Sequence, residues 1–104
     1  MADLAIVLTT VPKDAAPVLA SRLVEERLAA CVNVQPPMMS TYRWKGRIER
    51  EEECQLILKT TTARVDELER RLRELHPYEL PEFIVLQPSF AGSSYAAWVE
   101  AETA

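Results

Sequence analysis

The chain has 104 residues, 48% hydrophobic and 27% charged, with a net charge of −4. That is globular usage, and the length suits one domain with a single core spanning 1–104. The acidic balance argues against a nucleic-acid footprint, which is ordinarily basic.

Leu4-Ala5-Ile6-Val7-Leu8 is a continuous apolar run that predicts a central strand, ended by Thr9-Thr10-Val11-Pro12. Asp14 is placed to cap a helix with Pro17 in its first turn. Ala16, Leu19, Ala20, Leu23 and Leu28 then keep helical spacing, so an amphipathic helix is expected to about Ala30. Cys31–Gln35 reads as a strand interrupted by Pro36-Pro37, where the missing amide donors favour a bend on an edge. Extended character resumes at Met39–Trp44, and Lys45-Gly46 supplies the residues of a tight hairpin turn.

A third strand follows from Arg47 through Thr60. Thr62 is positioned to cap a second helix whose apolar stripe is Val65, Leu68, Leu72 and Leu75. Asp66–Arg70, Glu67–Arg71 and Glu69–Arg73 are spaced to pair along its wet side. His76-Pro77 ends it, because the residue before a proline avoids helical angles. Phe83–Leu86 is a fourth strand, and a short last helix, capped by Ser93 or Ser94, carries Tyr95, Trp98 and Val99. The order β-α-β-β-α-β predicts an α+β, ferredoxin-like antiparallel sheet with two helices on one face, a long hairpin and a short C-terminal helix.

The hairpin outgrows the domain. Its arms, Cys31–Trp44 and Arg47–Thr60, would each run about 40–45 Å at ~3.3 Å per residue, against about 23 Å for a 15-residue helix. Its outer half carries Met38, Met39, Tyr42, Trp44 and Ile48, an apolar ribbon that calls for a cover. Another copy of the chain is the economical one, and these residues are the candidate oligomer contacts.

No apolar run approaches the length of a spanning helix, and Met1-Ala2-Asp3 lacks the basic start of a secretory signal. The two cysteines, Cys31 and Cys54, have no short pairing motif, which fits a reducing, cytoplasmic setting with free thiols. If the turn sets the register, Cys31 pairs near Thr60 and Cys54 near Pro37, too far apart for a disulfide. Cys31, leading into an inner strand, is read as a small buried hydrophobe. No Ser-His-Asp or Cys-His pairing and no glycine-rich phosphate loop is present, so the chain is read as a binding protein and not an enzyme. RNA-recognition domains share this element order, but the third strand here is Glu-rich where they are basic and aromatic.

Several strings, taken together, carry a resemblance. They are Leu8-Thr9-Thr10-Val11-Pro12, Leu23–Asn33, Tyr42-Arg43-Trp44-Lys45-Gly46, Leu58-Lys59-Thr60, His76-Pro77-Tyr78-Glu79-Leu80-Pro81-Glu82 and Tyr95-Ala96-Ala97-Trp98. In order and spacing the chain resembles the CutA divalent-cation-tolerance family from about Leu4 to Val99. The resemblance implies a cytoplasmic homotrimer joined through strand edges, similar in build to PII-type signalling proteins and linked to copper and other divalent ions.

The copper-ligand positions described for that family fall here on Thr9, Leu75 and His76. Of these His76 alone offers a donor suited to copper or zinc. A metal contact at His76 would recruit Glu79 and Glu82, giving a weak site and no required cofactor. The alternative is that His76, the one histidine, bonds a carbonyl at the helix C-terminus. The acidic run Glu51-Glu52-Glu53 is read as a solvated strand face. Lys59, Tyr78, Tyr42, Trp44 and Trp98 are candidates to line a ligand pocket, the second reading being a PII-like sensor or scaffold for a small ligand or an unidentified protein partner.

Overall fold

The computed structural model describes residues 3–104. Its elements in chain order are β1 (Leu4–Pro12), α1 (Ala16–Glu25), β2 (Cys31–Val34), β3 (Met38–Trp44), β4 (Arg47–Thr61), α2 (Val65–Leu75), β5 (Ile84–Leu86) and α3 (Ser93–Glu102). A single 3-10 turn, Thr62–Arg64, leads into α2. The sheet is antiparallel in the order β2-β4-β1-β5, with β3 continuing β2's place along β4. This is the expected ferredoxin-like arrangement.

Strand periodicity divides the sheet into two faces. Ala5, Val7, Thr9 and Val11 of β1 and Cys54, Leu56, Leu58 and Thr60 of β4 are all buried, pointing toward the helices. Leu19 and Leu23 of α1 and Leu68 and Leu72 of α2 join them in one core. Burying each such leucine stabilises the domain by about 1.5–3 kcal/mol, so this layer decides the fold. The opposite face is only partly covered. There Ile6 and Leu8 stand beside Leu86 and Ile84, and both β5 residues are 48% exposed.

Helix ends depart from expectation. Asp14 does not cap α1; the cap position is Ala15, without a side-chain bond. The helix also stops at Glu25 and not near Ala30, because Arg27 takes a left-handed φ of 61°. Arg27 N–H bonds the Val24 carbonyl and Leu28 N–H the Leu23 carbonyl, both at 3.0 Å, which is a Schellman ending. Leu28 folds back into the core with Leu23, and that burial offsets the strain of a non-glycine residue at positive φ. Arg27 also donates to the carbonyls of Ala101 and Glu102 at the end of α3.

Thr62 does not cap α2, which starts behind Arg64, and α3 begins behind Gly92 with no serine side chain bonded. The wet side of α2 also pairs differently. In place of the three spacings four apart, Arg71 reaches Glu26 at the end of α1 with two bonds of 2.8 and 2.9 Å, tying the helices together. These bonds, with Arg22 beside them, hold the Glu26 carboxyl down at about 2. β5 begins at Ile84, one residue after Phe83, which packs instead on the core.

The hairpin turns at Lys45 (φ 50°) and Gly46 (φ 80°), the two positive angles that match strand twist. Met38 faces Glu53 and Trp44 faces Arg47, whereas Cys31 faces Lys59 and not Thr60. Pro36-Pro37 therefore shift the register by one residue, and β2 returns with its alternation reversed. Cys31 ends half-buried on an edge strand, while Cys54 is the core cysteine. Among the described strands β3 pairs only with β4, and Met39 is 65% and Ile48 50% exposed, so the hairpin tip projects from the sheet.

Candidate functional site

The segment after α2 builds the site. His76 takes extended angles, as its following proline requires, and its N–H still bonds the Leu72 carbonyl at 2.8 Å. The chain leaves the helix layer there and crosses to the open sheet face. His76 is the pin. Its Nδ1 accepts the N–H of Tyr78 at 3.1 Å, so the ring proton sits on Nε2, which donates to the Thr10 carbonyl of β1 at 2.8 Å. The carbonyl it bonds thus belongs to β1 and not to the helix end. Burial pushes the imidazole below its ordinary value, against the pull of the Thr10 bond and Glu53.

Tyr78 lies against the His76 ring at 4.7 Å, and its hydroxyl donates to Glu53 Oε2 at 2.8 Å. Burial and that carboxylate drive the phenol well above its usual range. Glu53 is only 7% exposed, so the expectation of a fully solvated acidic face fails at this residue; Glu51 and Glu52 do stay at the surface. Nothing in the periodicity marks Glu53, because it and Cys54 are buried side by side where β1, β3 and β4 meet. One signal lay elsewhere in the chain, in the phenol of the His-Pro-Tyr string that could supply its donor.

Together these groups wall a cleft of about 900 Å³ on the open face. Tyr42, Trp44, Met38 and Tyr78 give it apolar and aromatic sides, and Glu49, Glu51, Glu53, Glu79 and Glu82 line it with carboxylates. Tyr42 donates to Glu51 at 2.8 Å, which raises its phenol to about 12. Glu82 Oε2 is buried with no hydrogen-bond partner among the described residues, and burial, then the charge of Glu53, raises that carboxyl.

Lys59 and Trp98 stand apart from the cleft. Lys59 lies six residues along β4 from Glu53, about 20 Å at the strand repeat, bonded to the side-chain oxygen of Asn33. Trp98 lines a separate groove of about 310 Å³ between the end of α1 and α3.

The cleft does not fit a copper ion coordinated by the residues at Thr9, Leu75 and His76. Thr9 is fully buried and faces the helices, and its hydroxyl has no partner there among the described residues. Leu75 packs on the core, and both nitrogens of His76 are in hydrogen bonds. Among the described residues no three His, Cys, Asp or Glu side chains are gathered closely enough to hold a metal. What remains is oxygen-only and loosely spaced, a donor set for weak attraction of hard cations.

The sequence profile described as CutA1 divalent ion tolerance protein matches residues 5–102. A divalent-cation tolerance protein CutA of Thermus thermophilus is 42% identical over 99 residues, which is 94% of this chain and 96% of that protein. Among solved structures, CutA from Xylella fastidiosa superposes with a TM-score of 0.94 at 42% identity, covering 98% of this chain and 99% of that one. A PII-like protein CutA from Nostoc superposes at 0.91 with 40% identity, covering 96% and 97%. With the fold, the projecting hairpin and the His-Pro-Tyr-Glu-Leu-Pro-Glu segment all in place, the chain belongs to the CutA divalent-cation tolerance family.

Proposed function

We propose that this chain works as a cytoplasmic homotrimer in the response to copper and other divalent ions, and that the ions are drawn weakly to the acidic cleft. The observation that carries the reading is the gathering of five carboxylates around one cleft, with Glu82 left unpartnered beside Glu53. Glu79 and Glu82 are the metal-facing candidates, and His76 serves by holding the segment that presents them. The exposed hairpin residues Met38, Met39, Tyr42 and Ile48, with the half-buried Trp44 beside them, and the partly covered sheet face support self-association. The chain is read as a binding protein that needs no resident cofactor.

Calorimetric titration of zinc(II) and copper(II) into the metal-stripped protein tests this. Weak, salt-sensitive uptake that disappears in a Glu53→Gln, Glu82→Gln variant supports the reading. Tight uptake indifferent to those changes, or none at all, overturns it.

A second reading rests on the cleft's volume and aromatic walls, together with the PII-like description of the Nostoc protein. In it the cleft takes a small ligand or a partner protein's side chain, and divalent ions are incidental.

A further inference from the structure

The cleft beside the hairpin carries a row of charges that a single metal ion does not match. Glu49, Glu51 and Glu53 alternate along β4 and so share its cleft-facing side, about 6.6 Å apart at ~3.3 Å per residue. Tyr42, Ser40 and Met38 face them across the ladder and line the same cleft. A divalent ion holds its oxygens at about 2.0–2.6 Å, so no one ion spans neighbouring members of that row.

Little within the chain neutralises the row. Tyr42 donates to Glu51 and Tyr78 to Glu53, but both donors are neutral phenols and leave the charges standing. Lys45 reaches Glu79 at 3.7 Å, between two exposed side chains. Arg47 lies two residues beyond Glu49, opposite Trp44, and is not among the cleft-lining residues. Two buried acceptors still want a donor. Glu82 Oε2 is buried without a partner among the described residues, and Glu53, only 7% exposed, engages its Oε2 with Tyr78. Leaving such groups unsatisfied is costly, so the cleft is built to receive N–H donors that carry charge.

The walls favour an organic cation over a bare ion. Trp44, Tyr42 and Tyr78 line the cleft, and the Trp44 ring already has the Lys45 ammonium 5.5 Å from its centroid. Aromatic faces attract ammonium groups, and methylene stems pack against the same rings. We propose that the cleft binds a linear organic polycation, a diamine or triamine whose ammonium groups are spaced like the carboxylates of β4. The inference deepens the small-ligand reading given above by naming the chemical class of the ligand. The nitrogens lie along Glu49, Glu51 and Glu53, the methylenes lie on Tyr42 and Trp44, and Glu82 gains its donor.

Calorimetric titration of spermidine into the metal-stripped, full-length protein is the test, with magnesium(II) as the compact cation for comparison. Saturable uptake is expected, about tenfold or more tighter than that of magnesium(II), and weakened about tenfold by Trp44→Leu and by Glu51→Gln. Glu51 is exposed, and glutamine keeps the acceptor for Tyr42 while removing the charge, so this variant folds even where Trp44→Leu does not. Magnesium(II) bound as tightly as spermidine, or spermidine uptake indifferent to Glu51→Gln, overturns the proposal and leaves only a general attraction of cations.

A second probe separates this failure from failure of the small-ligand reading itself. The anionic dye anilinonaphthalene sulfonate should be kept out of the cleft by its carboxylates. Dye fluorescence raised by the wild type and not by Trp44→Leu, with no spermidine uptake, keeps a small-ligand cleft and overturns the polycation. Neither probe binding removes both.

Discussion

The phenol of Tyr78 donates to Glu53 at 2.8 Å, and this bond joins the segment leaving α2 to the middle of β4. A residue from a proline-rich connection thereby satisfies a carboxylate that its own strand buries. Hydrogen bonds to charged groups contribute about 1.5–3 kcal/mol, more than a neutral pair. Tyr78→Phe should therefore destabilise the protein by about 2 kcal/mol, read as a lower urea midpoint with an unchanged slope.

His76 sets a pH dependence. Its folded-state value lies below the ordinary 6.5 because burial disfavours the charged ring. The unfolded chain consequently binds the proton first, so this stability is fully present above about 6.5 and is lost as pH falls through the folded value. Protonation at Nδ1 also removes the acceptor for Tyr78 N–H. Unfolding midpoints measured from pH 8 to pH 5 should decline for the wild type and decline less for His76→Gln.

Glu26 and Arg71 give the opposite kind of group. The carboxyl is held at about 2, below its ordinary 4.5, by hydrogen bonds from Arg71 and then Arg22. Its contribution is complete above about 4.5 and is lost as pH falls through about 2. The pair is open to solvent, so Arg71→Ala should lower Tm only slightly, and the difference should shrink in about 0.5 M salt.

Thr9 offers a stabilising change. Its hydroxyl is buried among apolar side chains with no partner, and an unsatisfied buried group of this type costs about 1–3 kcal/mol. Thr9→Val keeps the shape and removes the hydroxyl, so thermal unfolding should shift upward by a few degrees.

The parts of this structure legible in the sequence are those where periodicity and proline act over several residues. The apolar run of β1, the stripe Leu68–Leu72, the Lys45-Gly46 turn and the breaks at Pro36-Pro37 and Pro77 all fall where the pattern places them. Helix ends were less legible. Asp14, Thr62 and Ser93 have capping chemistry but do not cap, and the stop at Arg27 comes from Leu28 folding inward, a tertiary event with no glycine to announce it.

At the cleft, Tyr42, Trp44, Tyr78, Glu79 and Glu82 come together as their place in the strings suggests. Lys59 and Trp98 do not join them. Distance along β4 separates the lysine, and α3 carries the tryptophan to a different groove. The burial of Glu53 depends on three strands meeting one loop, which no local window contains.

The central claim, an oligomer with a weak acidic ion site, is tested most directly by native mass spectrometry of the metal-stripped protein during zinc(II) and copper(II) titration. The account predicts a three-subunit species that takes up ions only at high concentration and releases them in salt. A monomer throughout, or a copper ion bound tightly to each chain, would contradict it.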